Sequence, residues 1–343
     1  MSLSRPARFP MLRLPWLCIE SVVRSWDIFD VIFFALISKR TRQIVKHLKI
    51  PLNEIKICLS EYKQIDLNSP FAWHFKKESE ADSWYEEQYR DFSENYLVLQ
   101  KDALPLYTKR MDRSLESYTD GKEGIYLQMA MELLKEVFKC TVEAVDINED
   151  SIPESGDIGV KSTVNLLIDH SYGNAKGQKL SLMLENLEVT DTCTFWLNST
   201  GQGFYVDPKR FKCKKLMFWP DSATWVTREI LLQFEVPRLH FERCRFSEED
   251  IAAFVTQWFH SDNRTFEHLY IELKDIQTFW EAFQDLNPIP FGGRARFVLS
   301  ESFEYVDFFK GLKIVRSDGL VATIHSKSGS FLFYIWHVQP ANT

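Results

Sequence analysis

Residues 238–259 read Arg238-Leu-His-Phe-Glu-Arg-Cys-Arg-Phe-Ser-Glu-Glu-Asp-Ile-Ala-Ala-Phe-Val-Thr-Gln-Trp-Phe259. The first four residues alternate in polarity, as a strand with one buried face does. Ser247 then stands where a helix N-cap belongs, and Ile251, Phe254, Val255, Trp258 and Phe259 form one apolar stripe at helical spacing. The stretch is one strand–helix unit. Its opening pattern is a basic residue, Leu, any residue and a large apolar one. The same pattern occurs at Lys215-Leu-Met-Phe218 and His268-Leu-Tyr-Ile271. After the latter, Asp275 is the expected cap of another helix carrying Ile276, Phe279, Trp280 and Phe283, stopped by Asn287-Pro288. The strand starts lie 23 and then 30 residues apart, within the range of leucine-rich-type solenoid units. Parallel strands need crossover connections, so the alternation predicts a curved or flat parallel sheet with helices outside.

Further along, Lys313-Ile-Val-Arg316 and Leu320-Val-Ala-Thr-Ile-His325 flank Ser317-Asp-Gly319, which predicts a hairpin with Asp-Gly at its turn. A second turn over 326–329 leads into Phe331-Leu-Phe-Tyr-Ile-Trp336. Three antiparallel strands are thus expected to cap the open end of the sheet, as a repeat array requires. Upstream, Leu127, Met131, Leu134 and Phe138 predict a helix from about 123 to 139. Val142–Ile147 then reads as a strand, and Ser151–Gly159 as a loop. Between 51 and 120 the signal is weaker. Ile55, Ile57 and Leu59 alternate as a strand, while 78–94 is acidic and aromatic, suiting a helix or an irregular cover.

The first fifty residues are a different unit. Leu14-Pro15 opens a helix with Ile19, Val22, Val23 and Trp26 on one face. Asp27 caps a second, Ile28–Ile37, that is apolar nearly all round, and Ser38 caps a third with Ile44, Val45 and Leu48, ended near Pro51. Such a cluster is at the lower size limit for independent folding. A helix apolar on all sides must also be covered on all sides, by the rest of this protein or by another chain.

Composition narrows the class. Of 343 residues, 45% are apolar and 14% aromatic, which excludes global disorder, and 13 Gly with 13 Pro exclude a collagen-like or low-complexity chain. The formal charge of −7 divides unevenly, +6 over residues 1–50 and −13 over the rest, so a general nucleic-acid coat is not expected. The longest apolar run, Val31–Ile37, is far short of a membrane span, and Arg8, Pro10, Arg13 and Pro15 break up any signal-peptide core. Six scattered cysteines without a C-x-x-C pair suit reduced thiols, hence a cytoplasmic or nuclear location. In that setting the sequons at Asn198 and Asn263 are coincidental.

Residues 9–42, Phe9-Pro-Met-Leu-Arg-Leu-Pro-Trp-Leu-Cys-Ile-Glu-Ser-Val-Val-Arg-Ser-Trp-Asp-Ile-Phe-Asp-Val-Ile-Phe-Phe-Ala-Leu-Ile-Ser-Lys-Arg-Thr-Arg42, resemble an F-box. Leu-Pro, a helix, an Asp-containing turn, an apolar helix and Ser-Lys-Arg follow in the order of that motif. The likeness is closest to the nematode families that carry an F-box-associated domain. One departure is Trp16-Leu17-Cys18, where many F-boxes have an acidic residue after Leu-Pro. The body is similar to that associated domain in Leu239-His-Phe-Glu-Arg-Cys-Arg-Phe246 with its helix and in Ile314-Val-Arg-Ser-Asp-Gly-Leu-Val-Ala-Thr-Ile324. The resemblance implies a tail (1–8), an F-box (9–50), a connecting region (51–120), an F-box-associated domain (121–337) and a second tail (338–343). The expected fold is therefore α/β: a short three-helix F-box, then a leucine-rich-repeat-like strand–helix solenoid ending in an antiparallel cap. It also implies binding to a Skp-family adaptor, and through it a cullin, by Leu14, Pro15, Ile19, Val22, Val23, Ile28, Phe29, Val31 and Leu36, with Lys39 and Arg40 on the rim.

Motifs for chemistry are missing. There is no P-loop, H-E-x-x-H, G-x-S-x-G or G-x-G-x-x-G, and Gly201-Gln-Gly203 reads as a loop. His240 and Cys244 have zinc-ligand spacing but lack a second pair. Lys209-Arg-Phe-Lys-Cys-Lys-Lys215 reads as a solvated loop in an acidic body. No catalytic residue, metal or cofactor is expected, and neither nucleic acid nor membrane as partner.

Strand alternation leaves one surface to consider. If Leu216/Phe218, Leu239/Phe241 and Leu269/Ile271 face the helices, then Met217, His240 and Tyr270 face the other way, beside Lys215, Trp219, Arg238, Glu242, His268 and Glu272. That mixture suits a protein-binding face, or a face covered by another layer of this chain such as residues 51–120. Two readings follow: a substrate receptor of a Skp–cullin–F-box ubiquitin ligase that promotes degradation of a target, or a non-catalytic protein that neutralises or sequesters one specific partner, a foreign or toxin-like protein among the options.

Overall fold

The protein is a mixed α/β chain with helices near its N-terminus, as a computed structural model shows. The structure describes residues 11–60, 63–68, 70–77, 96–101, 104–111, 113–119, 123–169, 177–198, 203–273, 280–291, 296–298, 305–307, 311–327 and 329–337. The acidic-aromatic stretch at 78–94 and the expected cap and first turn at Asp275–Phe279 lie outside them. Two compact units divide the chain, residues 1–143 and 144–343.

In the first unit, helices α1 (Trp16–Arg24), α2 (Ile28–Ile37) and α3 (Lys39–Leu48) follow one another with minimal links. Pro15 is the N-cap of α1. Asp27 caps α2 by accepting from the amides of Phe29 (2.9 Å) and Asp30 (3.0 Å). Ser38 and Thr41 form a capping box on α3, which ends at Lys49 in a left-handed conformation (φ 49°). Strands β1 (Pro51–Leu59), β2 (Lys63–Leu67), β3 (Phe71–Lys77), β4 (Tyr96–Lys101), β5 (Leu104–Arg110) and β6 (Ser114–Thr119) line up in the order β1-β2-β3-β6-β5-β4. Neighbours are antiparallel except β3 and β6. Helix α4 (Glu123–Val137) buries Leu127, Met131 and Leu134, with Phe138 just beyond, as its stripe predicts.

The cover for the all-apolar α2 comes from this unit itself. Phe29, Val31, Ile32, Phe34 and Ala35 are buried, Phe29 meets Phe71 of β3 edge-on at 5.2 Å, and Trp26 meets Phe34 at 5.2 Å. Arg110 of β5 reaches Asp27 (2.5 Å) and Asp30, tying the start of α2 to the sheet. Asp27→Ala therefore loses a cap and an exposed ion pair, and should destabilise this unit by about 1–2 kcal/mol. Asp27→Asn, which keeps the cap, should lose less than half of that in thermal melts.

Strand β7 (Lys139–Asn148) contains the division between the units. From Ala144 it pairs in parallel with β8 (Ser162–Asp169). Helix α5 (Gly177–Asn186) leads to β9 (Glu188–Trp196), and β10 (Lys215–Phe218) follows. The short α6 (Arg228–Leu231) precedes β11 (Arg238–Cys244), and α7 (Glu248–Phe259) precedes β12 (His268–Leu273). Each strand from β8 to β12 pairs in parallel with the one before it. The sheet then turns antiparallel. Beyond β13 (Ile289–Pro290), and the separate pair β14 (Arg296–Val298) and β15 (Tyr305–Asp307), come β16 (Leu312–Val315), β17 (Val321–Lys327) and β18 (Ser330–Trp336). The sheet order runs β12-β18-β17-β16-β13, and the β16–β17 hairpin turns at Gly319 (φ 86°). The expected three-strand cap is thus a continuation of the sheet at its β12 edge.

Register explains the core. Leu166, Cys193, Leu216, Leu239, Leu269 and Phe333 form one buried ladder, and Ile168, Phe195, Phe218, Phe241, Ile271 and Phe331 the next. The phenyl rings of Phe195, Phe218 and Phe241 stack at 5.0 and 4.9 Å, because parallel in-register strands hold identical side chains one strand spacing apart. Phe234 after α6, Trp258 of α7 and Phe283 pack on this face. The helix expected around Ile276 is, in its described part, a 3-10 turn at Trp280–Leu286, ending before Asn287 at φ 50°. In the loop before β8, Gly156 has φ 68°, and a Cβ there would lie 2.7 Å from the α5 backbone at Leu182.

Candidate functional site

Two surfaces carry the residues singled out by the sequence, one in each unit. On the helices of the first unit, Ile19, Val23, Phe29 and Val31 are core. Leu14, Val22, Ile28 and Leu36 are half-buried, and Pro15, Lys39 and Arg40 are exposed. Arg40 donates to the Leu12 carbonyl (3.0 Å) and Arg24 to the Leu48 carbonyl (2.9 Å), fastening the chain around α1 and α3. The largest exposed apolar groups here were not on the sequence-derived contact set: Trp16 (44% exposed), Leu17 (75%) and Ile37 (65%). Leu17 lies off the Ile19-Val22-Val23-Trp26 stripe and Ile37 ends a helix already covered, so the surplus of apolar residues over one stripe was the available signal.

In the second unit the sheet face opposite the ladders holds all nine remaining candidates. Lys215, Arg238 and His268 share one cross-strand row, and Met217, His240 and Tyr270 the next. Trp219, Glu242 and Glu272 follow one position beyond Phe218, Phe241 and Ile271. The His240 and Tyr270 rings lie 4.5 Å apart, and His240 Nε2 is 3.3 Å from Glu242. Arg238 pairs with Glu267 at 2.5 Å. His268 is buried and stacks on Tyr334. Burial, and then the charges of Arg238, His240 and Lys215, push its imidazole down to about 3, so it is neutral at physiological pH. A bulge after Phe241, with Arg243 at φ 46°, ends the regular alternation of β11.

This face is not uniform. Toward β18, Phe291 packs on Leu332, and Tyr270, Tyr334 and Trp336 pack against that pair. Toward β9 the face is open among the described residues. There Trp196 stacks on Trp219 at 4.9 Å with 17° between the rings, and Trp196 is 44% exposed. Sequence reasoning missed Trp196, because β9 lacks the basic-Leu opening. The repeated dipeptide, Phe195-Trp196 and Phe218-Trp219, was the signal that could have found it. At the far side of Trp196, Asp169 is its register partner on β8, and Asp146 of β7 is held above its ordinary carboxylate range by burial and by the Asp169 charge.

The thiols offer little chemistry. Burial pushes Cys213 up to about 12 and Cys193 well above its ordinary value, so neither is a nucleophile at neutral pH. His240 faces Glu242, whereas the Cys244 thiol lies 3.8 Å from the Glu272 carbonyl; the two do not converge. Among the described residues no group of three His, Cys, Asp or Glu is arranged to hold a metal, and no helix is long and apolar enough to cross a membrane.

No curated protein and no solved structure matches the chain. The segment from just before β10 into β12 does have relatives: residues 208–271 match the family described as F-box associated, which supports an F-box-associated protein.

Proposed function

We propose that this chain is the substrate-recognition subunit of a Skp–cullin–F-box ubiquitin ligase. Residues 9–50 act as the F-box and 121–337 as the domain that takes the target. The family match over 208–271 carries the reading, since an F-box-associated segment implies an F-box beside it. Three helices in the expected order at residues 16–48, the second and third capped by Asp27 and Ser38, support it, with exposed Trp16, Leu17 and Ile37 available to an adaptor. The parallel run of strands fits a leucine-rich-repeat-like body of the nematode type. The subunit is non-catalytic: it tethers the target near a charged conjugating enzyme, and tethering supplies millimolar effective concentrations. Its place is the cytoplasm or nucleus, where the adaptor and cullin act.

Adaptor contact in this arrangement falls to the exposed neighbours of the buried residues, with Leu14, Pro15, Ile28, Leu36, Lys39 and Arg40 around them. Ile19→Asp would place a charge in the core and unfold the helices, so it is a poor test. The combined substitution Leu17→Asp and Ile37→Asp leaves the core intact. It should abolish co-elution with a Skp-family adaptor while the melting curve stays within a few degrees of the parent. Undiminished co-elution would overturn the proposal.

A further inference from the structure

We propose that the stacked pair Trp196–Trp219 on the open sheet face is the docking point for an arginine or lysine side chain of the target protein. Five adjacent strands carry the elements of this point side by side, with Glu242 in the bulge of β11. Asp169 on β8 is in register with Trp196 on β9. The Trp219 amide donates to the Phe195 carbonyl at 2.9 Å, which carries the β9–β10 ladder on to the second ring. Glu242 follows Phe241, the register partner of Phe218, and Glu272 follows Ile271, the partner of Phe241. The stacked indoles are thus bracketed by carboxylates, Asp169 one strand spacing (roughly 5 Å) beyond Trp196, and Glu242 and Glu272 one and two spacings beyond Trp219.

The chemistry selects a cation. The face of an indole attracts a guanidinium or ammonium, and the attraction grows when the site is partly desolvated. The flanking carboxylates repel an anion and compensate the charge of a cation that sheds water to stack. An apolar side chain would stack as well, but it would gain nothing from the negative potential of those carboxylates. At the other end of the same strands stand Lys215 and Arg238, so a cation is favoured only at the tryptophan end. This deepens the receptor reading and rests on it: the open face takes the target, and the tryptophan pair supplies the anchor.

The test uses the full chain and a capped hexa-arginine peptide, with capped hexa-citrulline as the neutral isostere. Arginine should shift the indole N–H signals of Trp196 and Trp219, with an affinity that falls as salt is raised. Trp196→Ala or Trp219→Ala should weaken it at least tenfold, and Glu242→Gln with Glu272→Gln several-fold. Citrulline should bind at least tenfold more weakly. Equal binding of the two peptides, or equal binding by parent and tryptophan variants, would overturn the inference. A photocrosslinker at Met217 separates it from the broader reading. Capture of a cellular target there, with affinity undiminished by Trp196→Ala, sinks the anchor and spares the receptor. Capture that is lost with Trp196→Ala supports both.

Discussion

Phe218→Ala is expected to lower the stability of residues 144–343 by about 3–5 kcal/mol, the range for emptying a fully buried aromatic site. Phe218 has no exposed surface and lies between the rings of Phe195 and Phe241 at 5.0 and 4.9 Å, with interplanar angles of 18° and 8°. Trp225 and Phe234 close the site at 6.1 and 6.3 Å. The cost sits at the high end because the hole cannot collapse. Its two main walls are fixed by backbone ladders on either side, and strands cannot approach more closely than their hydrogen bonds allow. Phe218→Leu refills part of the volume and should cost about half as much. Met217→Ala is the internal control: one residue away but on the half-buried face, it should cost under about 1 kcal/mol. Denaturant unfolding at constant m-value distinguishes these outcomes. A loss below about 1 kcal/mol for Phe218→Ala would mean that the aromatic ladder is not the core of this unit.

Acid should begin to destabilise the same unit as pH falls below about 6.5, before its carboxylates are protonated, and His268 is the reason. In the folded chain its imidazole is pushed from an ordinary 6.5 down to about 3, first by burial and then by Arg238, His240 and Lys215. The unfolded chain therefore binds a proton that the folded chain refuses throughout that window. Stability from the neutral imidazole is fully present above pH 6.5 and is lost as pH falls toward 3, with a limiting slope of about 1.4 kcal/mol per pH unit. The total is of order 5 kcal/mol. His74 in the first unit is also lowered, by burial and then by Lys76, so a comparison is needed to isolate His268. His268→Gln should flatten the decline between pH 6.5 and 4.5 while retaining a buried polar group beside Tyr334. Hydrogen exchange in β11 and β12, followed across pH, reads the effect locally. An identical acid limb in the variant would show that the imidazole is not held neutral.

These two effects come from opposite faces of one sheet, and the sequence showed both faces at β10, β11 and β12. The alternation in Lys215–Phe218, Arg238–Phe241 and His268–Ile271 correctly separated Leu and Phe from His, Met and Tyr, since strand side chains have a strict period of two. It did not extend to β7, β8 and β9. Those strands lack the basic-Leu opening, and their Thr-rich outward positions, such as Thr192 and Thr194, read as weakly patterned. Trp196 was missed with them, although it is an exposed aromatic group on the face that the sequence had already selected.

What the amino-acid order alone determined are the local matters. Asp27, Ser38 and Ser247 each cap the helix predicted for them, and Gly319 turns the hairpin, because a cap or a turn involves only residues within a few positions. Which apolar side chains end as core and which as surface was decided by the tertiary structure. Val23 and Leu17 sit on one short helix with similar hydropathy, yet the first is fully buried and the second 75% exposed. The difference lies in what packs beside α1, and in the case of α2 it lies in Phe71 and Arg110, more than thirty residues away in the chain. The pairing of Trp196 with Trp219 arises in the same way. Periodicity turns each ring outward, but only the β9–β10 register sets them one strand apart, since register is fixed by long-range hydrogen bonding and burial rather than by neighbouring residues.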